Sequence, residues 1–387
     1  FHIEQRRNEM GSFRLKTQIF FGEKSLDELI NLDYNNFFII SDPFVVTSNL
    51  ISHVTDRLDA NGKKYTIFDD VKPDPPIQNV ANCVAKIREI SPDALICIGG
   101  GSALDTGKAA KYLAKKDGAD FNVPLIAIPT TSGTGSEVTS FAVISDPENH
   151  TKIPVRTYEL VPEFAILDAV LVKSVPPKVV ADTGMDVLTH AMESYVSVSA
   201  NEISEALSEK AIQIVGQYLV RSYKNSEDSH ARQKMHTAST IAGVAFDAAG
   251  LGVNHALAHQ LGAWLHIPHG RANAILLPHV IEFNTGIDIT SCSRPSYPYH
   301  VERYENIARI LGLQNLNTVT TIRSLVNWVQ FMLQELEIPT SISAMGIISK
   351  EEYLAMVPVM AQAALKDSCL ETNPKLADEI DLSNIYE

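Results

Sequence analysis

Short apolar runs alternate with amphipathic stretches through the first half of the chain. Four apolar runs that end in turn residues predict buried strands: FFIISD (37–42), KYTIFDD (64–70), DALICIGGG (93–101) and VPLIAIPTT (123–131). Between them, VTSNLISHVTDRLDANG and IQNVANCVAKIREI have apolar residues at helical spacing. Repeated strand–helix–strand order predicts a parallel sheet covered on both faces, with ligands bound beyond the carboxyl ends of its strands.

The pattern changes at Ser174-Val175-Pro176-Pro177. Beyond it strand patterns nearly vanish, and long helical patterns follow: EISEALSEKAIQIVGQYLVRSYK, ARQKMHTASTIAGVAFDAA and TIRSLVNWVQFMLQELEIP. We therefore predict an α/β domain over residues 13–175 and an all-helical domain over 176–387, which fits a chain longer than one typical domain. Residues 1–12 are interpreted as a leader, a linker or a remnant of cloning.

Composition narrows the function classes. The chain is 45% hydrophobic and carries a formal net charge of −14, which argues against nucleic acid or an anionic membrane as a partner. No apolar run reaches about 18 residues, so no membrane span is expected. Cys83, Cys97, Cys292 and Cys369 form no CxxC pair, which favours reduced thiols in a cytoplasmic enzyme.

A glycine-rich turn follows the third predicted strand. Gly99-Gly100-Gly101-Ser102 ends the apolar run and leads into the helical pattern ALDTGKAAKYLA. Glycines let backbone N–H groups approach a phosphate, and the helix start adds further N–H donors and the positive end of its dipole. The pattern thus indicates a nucleotide phosphate site; the alternative is an ordinary tight strand-to-helix turn.

A second polar loop, PTTSGTGSE (129–137), follows the next strand and so emerges at the same sheet edge. Thr130, Thr131 and Thr134 offer hydroxyls to phosphate or ribose, unless they only satisfy their own loop backbone. Asp42 closes the first strand, where a carboxylate binds ribose hydroxyls and repels a 2′-phosphate. That favours NAD over NADP, although a helix cap is the competing role for Asp42.

Five of the twelve histidines lie in GLGVNHALAHQLGAWLHIPHGRANAILLPH (250–279). His255 and His259 share a helix face, as do Asp186 and His190 upstream in TGMDVLTHAME, where this pair is expected to begin a helical segment. His269 follows Pro268 in a predicted turn. A catalytic metal needs three or four convergent ligands and one open position, which Asp186, His190, His255 and His269 can supply. A hydrogen-bonded histidine cluster is the open alternative.

The remaining histidines are given other roles. His259, one turn beyond His255, is available to handle a proton or support a ligand. His266 and His279 stand among apolar residues and are interpreted as structural. No function is assigned to the others: His2, His53, His150, His230, His236 and His300.

These motifs together resemble the iron-containing (group III) alcohol dehydrogenases, from about Phe13 to the C-terminus. The resemblance is carried by GGGSALDTGKA (99–109), PTTSGTGSEVT (129–139), TGMDVLTHAMES (183–194) and the histidine-rich segment 250–279. It implies an N-terminal dinucleotide-binding α/β domain and a helical metal-binding domain. Within the family, the chain is especially similar to 1-propanol and 1,3-propanediol dehydrogenases.

The resemblance also implies roles for single residues. The metal ligands fall on Asp186, His190, His255 and His269, and His259 matches a histidine near the nicotinamide and substrate. Phe246 matches an aromatic residue that narrows the substrate pocket, and Phe141 is expected to line the same pocket, at a position where some relatives carry a polar residue. The implied cofactor contacts are Asp42, Gly99, Gly100, Gly101, Ser102, Thr130, Thr131, Thr134 and Lys152.

We therefore expect NAD-linked interconversion of short primary alcohols and aldehydes. The ligand set suits Fe(II) or Zn(II), and the resemblance favours iron. Homo-oligomerisation is implied, and the similarity is compatible with packaging in a bacterial microcompartment. Three alternatives stay open: polyol oxidation of the glycerol dehydrogenase kind, a non-redox lyase of the dehydroquinate synthase kind, and a non-catalytic binding protein. The lyase should supply several cations near the metal, where the motifs offer only Arg271.

Overall fold

The computed structural model describes residues 12–117, 121–147, 151–287 and 298–387. The predicted leader, 1–12, lies outside these ranges except for Ser12, as do His2, His150 and Cys292. The described chain forms two compact units. Leu15–Val175 and Ser226–Gly243 make up the α/β unit, and the helical unit contains Pro176–Asn225 and Val244–Glu387.

Six parallel strands form the sheet of the α/β unit, in the order β1-β8-β5-β4-β2-β3. Within the described ranges, the unit also contains a separate antiparallel pair, β6 and β7. The bounds are β1 Gln18–Phe21, β2 Asn36–Ser41, β3 Lys64–Phe68, β4 Ala94–Gly99, β5 Leu125–Pro129, β6 Phe141–Asp146, β7 Thr151–Arg156 and β8 Phe164–Leu167.

Alternation along the central strands explains the two layers of core. Because successive side chains of a strand point to opposite faces, Phe38 and Ile40 pack into one buried cluster with Leu95. Phe37 and Ile39 pack into the other, on the opposite face. A sheet buried on both faces needs continuous apolar strands, which is the pattern read from the sequence.

Helices cover this sheet. The bounds in the α/β unit are α1 Glu28–Asn31, α2 Pro43–Thr47, α3 Ser52–Ala60, α4 Ile77–Ile90 and α5 Gly101–Asp117. The predicted helix at 46–62 is interrupted, because Asn49 adopts a left-handed φ of 62° between α2 and α3.

The part of the chain described beyond Pro176 contains helices and no strand. Their bounds are α6 Pro177–Val196, α7 Glu202–Lys224, α8 Ser229–Ala249, α9 Val253–Leu265, α10 His269–Thr285, α11 Pro298–Ile310, α12 Thr318–Glu335, α13 Ile342–Met345, α14 Lys350–Ala364 and α15 Glu379–Tyr386. The predicted fold class, a parallel α/β domain followed by a helical one, is confirmed.

Within the described ranges, no single helix combines the length and hydropathy needed to cross a membrane. Among the described residues, one pair of helices, α8 and α9, passes that test when taken together, and these two are bent by 109° relative to each other.

Candidate functional site

Helix α6 carries the first half of a group of metal-binding side chains. Asp186 and His190 lie one turn apart in its middle and are both buried. The expectation that they begin a helical segment was wrong, because α6 already starts at Pro177. Proline is favoured at a first helical position, where no intrahelical N–H bond is needed, so the Pro176-Pro177 pair marks the helix start itself.

The second half comes from α9 and α10. His255 lies in the first turn of α9, directly after Gly250-Leu251-Gly252. His269 is the first residue of α10 rather than part of a turn, which corrects the prediction. The next residue, Gly270, allows α10 to approach α6, because a β-carbon there would lie 2.1 Å from the carbonyl oxygen of Asp182.

Ligand atoms of Asp186, His190, His255 and His269 all lie within 4.8 Å of one another. The Asp186 Oδ1 atom is 3.8 Å from His255 Nε2 and 3.5 Å from His269 Nε2. The His190 ring stacks on that of His255 with centroids 4.6 Å apart. The structure therefore brings together the four residues that the sequence singled out. Three are buried, while 41% of the His269 side chain is exposed.

Glu193 orients the His255 imidazole. Its Oε2 lies 2.5 Å from His255 Nδ1, and its Oε1 accepts a 2.6 Å hydrogen bond from the Asn254 backbone at the start of α9. Burial raises the pKa of Glu193 to about 8, and the backbone hydrogen bonds from Asn254 and Gly252 oppose that rise. A metal at Nε2 requires the tautomer in which Nδ1 donates to an ionised Glu193, so we expect metal binding to be coupled to release of the Glu193 proton.

Asn273 supports the same group from α10. Its Nδ2 atom lies 2.8 Å from Asp186 Oδ1, 3.1 Å from His255 Nε2 and 3.2 Å from His269 Nε2. The amide of Asn254 holds it in turn, donating to the Oδ1 atom of Asn273 at 2.9 Å. This one amide nitrogen thus lies within hydrogen-bonding distance of a carboxylate oxygen and two ring nitrogens, and its two hydrogens can bond to two of the three at a time.

This donor set fits a divalent transition metal. Burial, together with the neighbouring His190, His269 and His259, lowers the pKa of His255 well below its usual range and keeps the ring neutral, the state that binds metal. One carboxylate and three imidazoles suit Fe(II) or Zn(II). The exposed edge of His269 leaves the group open on one side, as a catalytic metal requires.

His259 stands beside the group without belonging to it. Its ring stacks on that of His269 at 5.3 Å, and its Nδ1 lies 2.7 Å from Asp367 Oδ2. His266 ends α9 in the left-handed conformation, and His279 faces Glu282 at 3.9 Å. Neither of these two histidines joins the group.

Phe246 contacts the group directly. Its ring stacks on His190 with centroids 4.5 Å apart, so His190 lies between an aromatic ring and the His255 imidazole. This stacking on His190 is a contact in addition to the role in a substrate pocket that was predicted for Phe246.

In the α/β unit, the two polar loops lie side by side at the carboxyl ends of β4 and β5. The Thr130 backbone donates to the Gly99 carbonyl at 2.9 Å. A β-carbon on Gly101 would lie 2.9 Å from Thr134 Cγ2, and one on Gly100 would lie 3.7 Å from Thr131 Cγ2. Ser102 follows in the first turn of α5, where N–H groups lack helical partners.

Asp42 caps a helix next to this turn. Its Oδ1 accepts from the Val45 backbone at 3.0 Å, so the helix-cap alternative is observed. Its Oδ2 lies beside Gly99, where a β-carbon would approach within 2.9 Å. Gly99 has a φ of 155°, so both its conformation and this contact favour glycine. The second carboxylate oxygen therefore lies next to the predicted phosphate turn.

Lys108, a buried lysine to which the sequence analysis gave no role, joins α5 to the threonine-rich loop. Lys108 is fully buried, and its Nζ donates to the carbonyl and hydroxyl oxygens of Ser136 at 2.9 and 3.0 Å and to Thr139 Oγ1 at 3.1 Å. The hydroxyl of Ser136 donates to Asp105 at 2.7 Å. Burial raises the pKa of Asp105, while the charge of Lys108 opposes that rise.

Two predicted site residues of the α/β unit lie on the β6–β7 pair. Lys152 forms a 2.6 Å ion pair with Asp74, and the guanidinium of Arg156 stacks on the Phe141 ring at 4.7 Å. Their roles in cofactor and substrate binding stay predictions.

Spacing could have revealed two of the missed residues. Glu193 follows Asp186 by seven residues and His190 by three, and Asn273 follows His269 by four, which are same-face positions on a helix. Asp367, 108 residues from His259, gives no such signal.

Two family descriptions match the chain. "Iron-containing alcohol dehydrogenase" matches residues 16–169, and "Fe-containing alcohol dehydrogenase family, C-terminal" matches residues 180–387. The 1-propanol dehydrogenase PduQ of Citrobacter freundii is 43% identical over 380 residues, covering 98% of this chain and 99% of the relative.

Solved structures support the same family assignment. A 1,3-propanediol oxidoreductase superposes with a TM-score of 0.87 at 28% identity, covering 98% of this chain and 99% of that one. Sulfoacetaldehyde reductase from Bifidobacterium kashiwanohense, in complex with NAD+, gives a TM-score of 0.85 at 26% identity, with 98% of both chains covered. This chain therefore belongs to the iron-containing alcohol dehydrogenase family, whose members are metal- and NAD(P)-dependent alcohol/aldehyde oxidoreductases.

Proposed function

We propose that the protein interconverts short-chain primary alcohols and aldehydes, using NAD and Fe(II), with Zn(II) as the alternative metal. The observation that carries this proposal is the convergence of Asp186, His190, His255 and His269 within 4.8 Å. In this proposal residues 13–175 bind NAD and residues 176–387 bind the metal.

The helical unit prepares its ligands before any substrate arrives. Glu193 fixes the His255 ring, Asn273 holds the Asp186 carboxylate, and Phe246 stacks on His190. Fixed ligands lower the reorganisation needed during reaction. When bound, the metal supplies Lewis-acid stabilisation of negative charge on the substrate oxygen.

The α/β unit is proposed to bind the cofactor. Gly99–Ser102 and the start of α5 would bind the pyrophosphate, with the hydroxyls of Thr130, Thr131 and Thr134 beside it. The Asp42 carboxylate would accept from ribose hydroxyls and repel a 2′-phosphate, which favours NAD. Lys152 is proposed as a further contact. The cofactor, when bound, would supply the redox chemistry, with NAD+ accepting the hydride from the alcohol and NADH donating it to the aldehyde.

His259 is proposed to move the hydroxyl proton. Asp367, at 2.7 Å from Nδ1, fixes the tautomer in which Nδ1 carries the hydrogen and Nε2 can accept one. Burial acts to raise the pKa of Asp367, but its hydrogen bond and charge interaction with His259 leave that pKa below its usual value. An ionised Asp367 therefore accepts from Nδ1 at neutral pH.

The names of relatives suggest propanol and propionaldehyde, or 1,3-propanediol and its aldehyde, as substrates. Phe141 and Phe246 would give the pocket apolar walls. A lyase of the dehydroquinate synthase kind would need Arg271 as a cation near the metal. Arg271 instead forms a bidentate ion pair with Asp182, at 2.8 and 3.0 Å. We further propose a homo-oligomer in the cytoplasm, packaged in a microcompartment where the host forms one.

The test is a kcat/KM panel on metal-analysed protein, with alcohols from ethanol to hexanol, the matching aldehydes and diols, and both NAD and NADP. We expect the highest values for a three-carbon primary alcohol or its aldehyde with NAD. Absence of activity with every pair and either cofactor would refute the proposed reaction. A preference for glycerol would change the proposed substrate but not the proposed reaction.

The ligand role has its own test. His255→Ala should lose metal on gel filtration and lose turnover, because one of four donors is removed. His279→Ala is the matched control in the same segment and should keep both, since His279 lies outside the group. A His255→Ala protein that keeps its metal would remove His255 from the ligand set.

A further inference from the structure

A second group of metal-binding side chains lies next to the first. The imidazole of His259, the carboxylate of Asp367 and the thiol of Cys369 offer ligand atoms that all lie within 4.8 Å of one another. All three residues are partly buried, so they are reachable from solvent yet not fully hydrated. The proposed function uses the first two and leaves Cys369 without a role.

Two separate elements hold this group in place. His259 lies on α9, and Asp367 caps the short 3-10 helix Ser368–Thr372 after α14. The Asp367 Oδ1 accepts from the Cys369 backbone at 2.9 Å while its Oδ2 faces His259 Nδ1 at 2.7 Å. One carboxylate thus joins the thiol-bearing turn to the imidazole, and the three donors are arranged before any ion arrives.

The donor chemistry differs from that of the first group. Nitrogen, oxygen and sulfur together favour Zn(II) and its analogue Co(II), because thiolate is a soft ligand. Three protein donors leave a fourth tetrahedral position for water. The thiol also distinguishes the two groups in experiments, since the first one contains no sulfur.

We propose that His259, Asp367 and Cys369 form a second, inhibitory site for a zinc-type divalent ion. On binding, Cys369 Sγ bonds to the ion and its proton passes to solvent. His259 binds through Nδ1, so the Nδ1–Asp367 hydrogen bond breaks and the ring proton moves to Nε2. A ring with its proton on Nε2 no longer accepts one there, and turnover falls.

This site should be the weaker of the two. Its side chains are only partly buried, and the His259 ring stacks on His269, a residue of the first group, at 5.3 Å. Neighbouring dications repel each other, so the second ion should bind reversibly and at higher concentration. The inhibition rests on the proposed function, whereas the binding does not.

Titration of the metal-loaded protein with Co2+ tests the site. We expect a second equivalent to bind and a thiolate-to-cobalt charge-transfer absorption to grow with it. Cys369→Ser should abolish that absorption, and Asp367→Asn should weaken binding at least about tenfold. Glu371→Gln, which removes an exposed carboxylate from the same 3-10 helix, should bind like wild type.

Zn2+ inhibition is measured in parallel. Wild type should lose turnover as the second equivalent binds and recover it with a chelator at a concentration that spares the first site. Cys369→Ser should keep turnover over the same range. No second equivalent, or an unchanged absorption in Cys369→Ser, would overturn the site. Binding without inhibition would overturn only its effect on turnover.

Discussion

Glu193 determines which nitrogen of His255 is available to a metal. The carboxylate lies 2.5 Å from Nδ1 and is buried, with the Asn254 backbone of α9 donating to its other oxygen. The positive end of the α9 dipole favours a carboxylate at this place. A single side chain on α6 therefore caps α9 and sets the tautomer of a residue that α9 carries.

Glu193→Gln tests this role. The amide can still accept from Asn254, but its NH2 group can donate to His255 Nδ1 and so favour the opposite tautomer. We expect metal affinity to fall about 10- to 100-fold, with a parallel loss of turnover at limiting metal. Equilibrium dialysis against a competing chelator measures the affinity. Glu371→Gln should leave it unchanged, and an unaltered affinity in Glu193→Gln would contradict the orienting role.

At this scale the sequence predicted the four clustered residues but not what supports them. Asp186, His190, His255 and His269 were found because paired helical spacing and turn residues mark them locally. The supports depend on tertiary packing: Asp367 reaches His259 only because the chain returns after α14. No local pattern encodes such a contact.

Among the elements, α5 is joined to the loop after β5 by a buried ammonium group. Lys108 on α5 contacts Ser136 and Thr139, and the Ser136 hydroxyl continues to Asp105 on the same helix. The 3-10 helix Ser136–Val138 directly follows the threonine-rich segment. Lys108 therefore sets the position of the loop relative to the glycine turn at the start of α5.

Lys108→Met should remove this connection. It leaves the Asp105 carboxylate buried without its neighbouring cation, so we expect a loss of about 3 kcal/mol in unfolding free energy. KM for NAD should rise more than kcat falls, because the loop is displaced while the metal group is untouched. Denaturant unfolding and NAD-dependent kinetics measure the two effects.

Lys115→Met is the matched control on the same helix. Lys115 pairs with Glu159, but 43% of its side chain is exposed, so solvent screens this pair and we expect the unfolding free energy to stay nearly unchanged. Equal losses of unfolding free energy in Lys108→Met and Lys115→Met would show that the buried contacts of Lys108 stabilise the fold no more than an exposed ion pair does.

Strand prediction depended on a run long enough to show a pattern. β2, β4 and β5, continuous apolar runs in the interior of the sheet, were predicted, and so was the edge strand β3, whose side chains are largely exposed. β1, at one edge, has only four residues with partly exposed side chains, too short for a clear pattern. β7 contains Pro154, which has no N–H group to donate in a strand ladder. The segment therefore did not resemble a strand, and the β6–β7 pair was not predicted. β8, also four residues long, follows Pro162 and was missed for its length.

For the whole molecule, buried neutral histidines make stability depend on pH. His236 on α8 is fully buried, with Ser132 Oγ 3.1 Å from its Nδ1. Burial lowers the pKa of His236 from 6.5 to about 4. The unfolded chain therefore takes up a proton before the folded protein does as the pH falls. Folding loses stability between pH 6.5 and about 4, and no further contribution from His236 is lost below that window.

His236→Gln should flatten this dependence, because glutamine keeps a polar group near Ser132 but cannot titrate. At about 1.4 kcal/mol for each pH unit between the two pKa values, wild type should lose about 3 kcal/mol more than the variant across the window. Urea unfolding at a series of pH values, with both proteins in the same metal-loading state, measures the difference and cancels the contribution of the metal-binding histidines. Parallel curves for the two proteins would mean that His236 remains protonated, or accessible, in the folded state.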